Sequence, residues 1–236
     1  MSAKVPRLAV PRWPRLPAIV APPSSASLGS AYELLSLNAL LQPPFFFTNL
    51  ARVGGANDQG VDLHGEWSGR PLLPLSLVGG ADLSSKNNAR WPAIVQCKAY
   101  SDRVGPVTVR ELEGALLAAS SSFSSSLSSS RPADQPGVAF LLSLSGFTPI
   151  AASRIRSSTL PIAGVHLAPR DPKALLRAAS VFALRGKLGS EKVEMDVKAV
   201  VWSNVTRLAV QREAERLAAV EEVEEVEEEK MVLQAG

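Results

Sequence analysis

The chain has 236 residues and a mass of 25.0 kDa, room for one domain with a core plus tails and tight for two. Hydrophobic residues at 46% and charged residues at 20% exclude a chain that is disordered or fibrous throughout, and no apolar run approaches the roughly 18 residues of a membrane span. A single cysteine, Cys97, excludes an internal disulfide framework and a multi-cysteine zinc site, and the two histidines, His64 and His166, exclude a His-rich cage, so any metal would be a hard cation held by oxygens. The net charge of +3 is unevenly spread. Seven of the 22 acidic residues lie between Glu221 and Glu229, which leaves 15 acids against 24 Lys+Arg in residues 1–220, a balance of +9. A basic body with an acidic tail suits a polyanion such as nucleic acid, although many basic bodies are only soluble.

Residues 1–27 carry Lys4, Arg7, Arg12 and Arg15 and no acid, a composition expected of an organelle transit peptide, with a disordered tail as the alternative. No secretory apolar region is present. Apolar spacing then predicts a helix over Gly29–Gln42, capped by Ser30 and stopped at Pro43-Pro44. Strands follow at Phe45–Val53 and Val61–Trp67, joined by a glycine-rich turn at 54–60. Residues 68–90 read as a long loop, Ala93–Ala99 as a buried strand, and Val107–Ala119 as a helix with Thr108 as its cap. Nine serines in Ser120–Ser130 predict a mobile surface loop. Beyond it come a strand (Gly137–Ser143), a helix (Thr148–Ser157), a strand (Ile162–Leu167) and a helix (Asp171–Arg185). Val200–Gln234 reads as one further helix whose polar face carries the glutamates. The order predicts an α/β fold: a central mixed sheet of about four to five strands covered by helices on both faces, with a C-terminal helical extension.

Gln96 and Lys98 stand two apart on a strand and therefore share a face, while Cys97 points into the opposite layer. Asp62 begins the preceding strand and reaches the same spot if the two strands pair. A lysine in the apolar run Ile94-Val95-Gln96-Cys97-Lys98 needs an anion beside it, or a strand end from which it reaches solvent. Spacing alone leaves both open.

The order Tyr32-Glu33, then Gly55 and Asp58-Gln59-Gly60-Val61-Asp62-Leu63, then Val95-Gln96-Cys97-Lys98 resembles the Mrr-like branch of the PD-(D/E)xK restriction-endonuclease superfamily, in which glutamine commonly replaces the acid of the third motif. The similarity continues through Arg110-Glu111-Leu112-Glu113-Gly114, Gly137-Val138-Ala139-Phe140 and Gly146-Phe147-Thr148-Pro149-Ile150-Ala151, covering about residues 29–168. With its import-like start, the chain is most similar to the fungal mitochondrial family called required for respiratory growth protein seven. The resemblance implies a restriction-endonuclease-like domain over 28–170 with insertions at 68–90 and 120–136, followed by C-terminal helices and the acidic tail over 171–236. It implies a Mg²⁺- or Mn²⁺-dependent phosphodiesterase of the mitochondrial matrix, acting on nucleic acid, DNA first, with no membrane span and with a homodimer as one arrangement. By position, Asp62 matches the metal-binding carboxylate, Gln96 the third-motif ligand, Lys98 the lysine that orients water and steadies the phosphate, and Glu33 the first-helix carboxylate that binds metal or water. Mg²⁺ takes one or two carboxylates plus waters, so Asp62, Gln96 and Glu33 suffice in number.

The chain departs from the pattern in the 33 residues between Asp62 and Gln96 and in the neutral side chain of Gln96. A catalytically inactive module that binds nucleic acid or supports assembly is the alternative. Other residues have plainer readings: Asp58 as a turn former, Glu66 as a solvated strand end, Glu111 at a helix start, His64 as a partly buried hydrogen-bonded histidine, Trp67 and Trp91 as core packing rather than base-stacking groups, Cys97 as an inert buried thiol. The 54–60 turn lacks the lysine of a phosphate-binding loop.

Overall fold

The computed structural model describes residues 23–53, 60–69, 90–126, 137–190 and 192–212. The expected transit peptide (apart from residues 23–27), most of the glycine-rich turn with Asp58, most of the 68–90 loop and the acidic tail lie outside them. Elements follow in the order α1 (Ser25–Leu40), β1 (Phe47–Arg52), β2 (Leu63–Trp67), β3 (Trp91–Lys98), α2 (Pro106–Ser126), β4 (Val138–Ser143), α3 (Pro149–Ser157), β5 (Ile162–Pro169), α4 (Pro172–Arg185) and β6 (Met195–Trp202). The strands form one mixed sheet in sequential order, parallel across β3, β4 and β5 and antiparallel at every other pairing. The expected helix-covered mixed sheet is therefore present, with six strands rather than four or five.

Alternation along the central strands sorts their side chains between two cores. Val95, Val138, Phe140, Leu142 and Val165 join Tyr32 and Leu35 of α1 and Leu175 and Ala179 of α4. Ile94, Ala139 and Leu141 join Val109, Leu112 and Leu116 of α2 and Ala151 and Ile155 of α3. Every residue of β4 is buried, as a central parallel strand covered on both faces requires. Trp67 and Trp91 meet edge to face at 6.1 Å, and Trp67 stacks on Trp202 at 5.7 Å. Both are core residues, which removes them as base-stacking groups. Among the described residues no helix is long and apolar enough to cross a membrane.

Several local expectations change. Ser24, not Ser30, caps α1, accepting from the Ser27 N–H at 3.1 Å; Ser30 accepts from Arg52 instead. Pro106 opens α2, since a first-turn proline loses no helical hydrogen bond, and this leaves Thr108 inside the first turn. The helix runs on through the serine tract to Ser126 rather than ending in a loop. Ser120 donates back to the Leu116 carbonyl at 2.7 Å, so its hydroxyl is satisfied within the helix. Residues 200–202, expected to open the last helix, close β6 against β5, because the β-branched pair Val200-Val201 and Trp202 fit a pleated surface. Helix begins again only at residue 204.

Candidate active site

The site is built where β2 begins. Its ladder to β3 runs from Trp67 opposite Trp91 to Leu63 opposite Val95, and the Asp62 N–H adds a hydrogen bond to the Val95 carbonyl at 2.9 Å. Cys97 lies two residues past that register. Its N–H donates to Asp62 Oδ2 at 2.6 Å, so a side-chain acceptor continues the bonding of β3 where the β2 ladder stops. The Asp62 carboxylate therefore sits on the N–H of the Gln96–Cys97 peptide. The bend that releases β2 is Gly60, with φ +79°, and a Cβ there would come within 2.9 Å of Gln96 Nε2.

Gln96 is 3% exposed, and its Oε1 is buried without a hydrogen-bond partner. An amide oxygen in that state costs on the order of 1–3 kcal/mol. Lys98 ends β3 opposite Ser143, half-buried, with Nζ 5.8 Å from the centre of the Tyr100 ring. Glu33 arrives from the other layer. Its neighbour Tyr32 anchors α1 by donating from its hydroxyl to the Leu167 carbonyl at 2.8 Å, while Glu33 Oε2 is paired with Arg52 Nε at 2.7 Å. The Cys97 thiol reports both carboxylates. Burial pushes its pKa well up, and the nearby charges of Asp62 and Glu33 push it further, so the thiol is protonated and inert at neutral pH.

The structure thus brings Asp62 against the strand that carries Gln96 and Lys98, and holds Glu33 in an ion pair on the α1 side. Among the described residues no three His, Cys, Asp or Glu side chains gather as a metal-binding group. A cation would rely on Asp62 and the Gln96 amide oxygen, whose lack of any other partner fits such a ligand. The remaining candidates have structural roles. Glu66 accepts from Asn49 at 3.0 Å and pairs with Arg90 at 3.4 Å. Glu113 joins α2 to Arg154 and Ser158 of the α3 end. His64 is exposed rather than partly buried, because it lies on a strand next to the sheet edge. Sequence reasoning passed over Arg52 and Tyr100. Tyr100 could have been found by its place two residues after Lys98; nothing in the sequence marks Arg52 as the partner of Glu33.

Comparison with known proteins places this sequence in a lineage. Required for respiratory growth protein 7, mitochondrial, of Candida glabrata is 30% identical over 130 residues, 44% of this chain and 51% of its own. An uncharacterized mitochondrial protein of Schizosaccharomyces pombe is 32% identical over 142 residues, 59% of this chain and 44% of its own. Required for respiratory growth protein 7, mitochondrial, of Vanderwaltozyma polyspora is 32% identical over 117 residues, covering 39% and 46%. The matched region spans about half the length of these relatives or slightly less. No solved structure matches. The family model described as Required for respiratory growth protein 7 matches residues 24–195, from the cap of α1 to the start of β6, and the chain belongs to that family.

Proposed function

We propose that the chain is a mitochondrial matrix protein that serves respiratory growth through a Mg²⁺- or Mn²⁺-dependent phosphodiesterase site acting on DNA. The compartment and the physiological role rest on the names of its relatives and on the acid-free, arginine-bearing start of the chain. The chemistry rests on one observation: a buried, unpartnered Gln96 oxygen on the strand that carries Lys98 and whose Cys97 N–H is held by the Asp62 carboxylate. Asp62 and Gln96 would hold the ion, and Glu33, which has one oxygen committed to Arg52, would serve it or its water through the other. Bound there, the ion would offset the charge that builds on the phosphoryl oxygens during hydrolysis. Lys98 would draw the phosphate into place and steady an attacking water.

The pairing of Glu33 with Arg52 and the lack of a three-residue metal group among the described residues favour a second reading, a non-catalytic module that binds nucleic acid. One experiment decides. The purified chain is incubated with linear DNA in Mg²⁺ and in Mn²⁺. Cleavage that disappears in Asp62→Asn and Lys98→Ala supports the first reading. Salt-sensitive binding without turnover in either metal supports the second. Cleavage unchanged in both variants overturns the site assignment, and no binding at low salt overturns both readings. A reporter fused to residues 1–30 should enter mitochondria; a purely cytosolic signal removes the compartment.

A further inference from the structure

We infer that the cleft beside Lys98 takes one unpaired nucleotide, with its base stacked on Tyr100. The inference rests on the nucleic-acid reading above and names the form of substrate that the site accepts. Tyr100 is 54% exposed, an aromatic ring left on the surface at the point where β3 gives way to the loop before α2. Scattered exposed aromatics are ordinary. This one differs in two respects. The Lys98 ammonium lies 5.8 Å from its centre, and the ring lines a cleft of about 420 Å³ between that loop, the first turn of α2 and the start of α1, within the size range of small-ligand sites.

The lining chemistry suits a base better than a second phosphate. Leu28 of α1 adds an apolar wall, and Thr108 adds a hydroxyl. Asp102 brings a carboxylate, which would repel a phosphate and accepts from the exocyclic amino group of a base. The cations Lys98 and Arg103 stand beside it for the backbone. A base can lie on a tyrosine ring only if its face is uncovered, and inside a duplex both faces are stacked on neighbours. The occupant is therefore a nucleotide from a single strand, a flap or a gap, next to the phosphate that Lys98 receives.

The test uses the full chain, in chelator to prevent turnover, with a fluorescein-labelled single-stranded DNA oligonucleotide and a blunt duplex of the same sequence. Tyr100→Ala should weaken single-strand binding about tenfold or more, the range of base–aromatic stacking, and leave duplex binding within about twofold, as expected when no stacking is lost. Tyr100→Phe should keep wild-type affinity, since stacking needs the ring and not the hydroxyl. A 2-aminopurine in the single strand should be quenched by the wild type and by Tyr100→Phe but not by Tyr100→Ala. No loss in Tyr100→Ala, or an equal loss on both DNAs, overturns the inference while the nucleic-acid reading stands. A wild type that binds neither DNA overturns the nucleic-acid reading and this inference with it. The side chain is exposed, so its truncation leaves the fold intact, and near-unchanged melting temperatures check this.

Discussion

Replacing Asp62 separates what this carboxylate does for the fold from what it does for chemistry. In the native chain it accepts the Cys97 N–H at 2.6 Å, beyond the last β2–β3 ladder pair. A hydrogen bond to a charged group contributes roughly 1.5–3 kcal/mol net, and a buried amide stripped of its acceptor costs a comparable amount. Asp62→Ala leaves that N–H without its acceptor, so a loss of about 2 kcal/mol is expected. In a domain of this size it corresponds to a drop in melting temperature of about 4–8 °C. Asp62→Asn keeps an amide oxygen for the same N–H, and its loss should stay at or below about 1 kcal/mol. Both variants should abolish metal-dependent cleavage. The assay is paired: urea denaturation of each variant with the midpoint and slope compared, and cleavage of linear DNA in Mg²⁺. If Asp62→Ala is as stable as the wild type, the carboxylate does not hold the end of β3 and the geometry argued for the site is wrong. If Asp62→Asn retains full cleavage, the structural role stands and the chemical one falls.

Gly60→Ala should injure the site from outside it. A Cβ there lies 2.9 Å from Gln96 Nε2 on a backbone of φ +79°, which costs a non-glycine residue about 1–2 kcal/mol; the expected result is a lower melting temperature and a larger fall in cleavage than stability explains, whereas normal stability and activity would show that the turn does not set Gln96. Tyr32→Phe removes the hydroxyl that donates to the Leu167 carbonyl at 2.8 Å and should cost about 1–2 kcal/mol, read by thermal denaturation. The Cys97 thiol has its pKa raised by burial and then by Asp62 and Glu33. Its contribution is complete below the unfolded thiol value near 8.5 and is lost as pH rises from there toward the folded value, because the unfolded chain gives up its proton first. Stability should therefore fall as pH rises above about 8.5, with a slope of at most about 1.4 kcal/mol per unit for this one proton, and Cys97→Ala should flatten that fall; an unchanged slope would show that the thiol is not the group concerned.

Read alone, the chain indicated most of the elements and the residues proposed to carry chemistry. The short apolar run in Ala93–Ala99 marked a buried strand, formed at Trp91–Lys98 with Gln96 and Lys98 on one face, and the apolar spacing of Leu112 and Leu116 marked α2, because run length and helical period are local signals. Polar tracts and short apolar runs were less legible. The serines after Ala119 continue a helix once a tertiary surface holds its earlier turns, and Val200-Val201-Trp202 become strand because β5 offers a partner edge. Only the tertiary structure decided what each site residue touches. Asp62 could be placed near β3 from the order of strands, but its bond to the Cys97 amide depends on β2 departing at Gly60. The Arg52 partner of Glu33 lies 19 residues away on another element, and the cleft beside Tyr100 exists only where α1 packs against the loop after β3. Such contacts join residues distant in the chain, and a local pattern has no term for the distance between them.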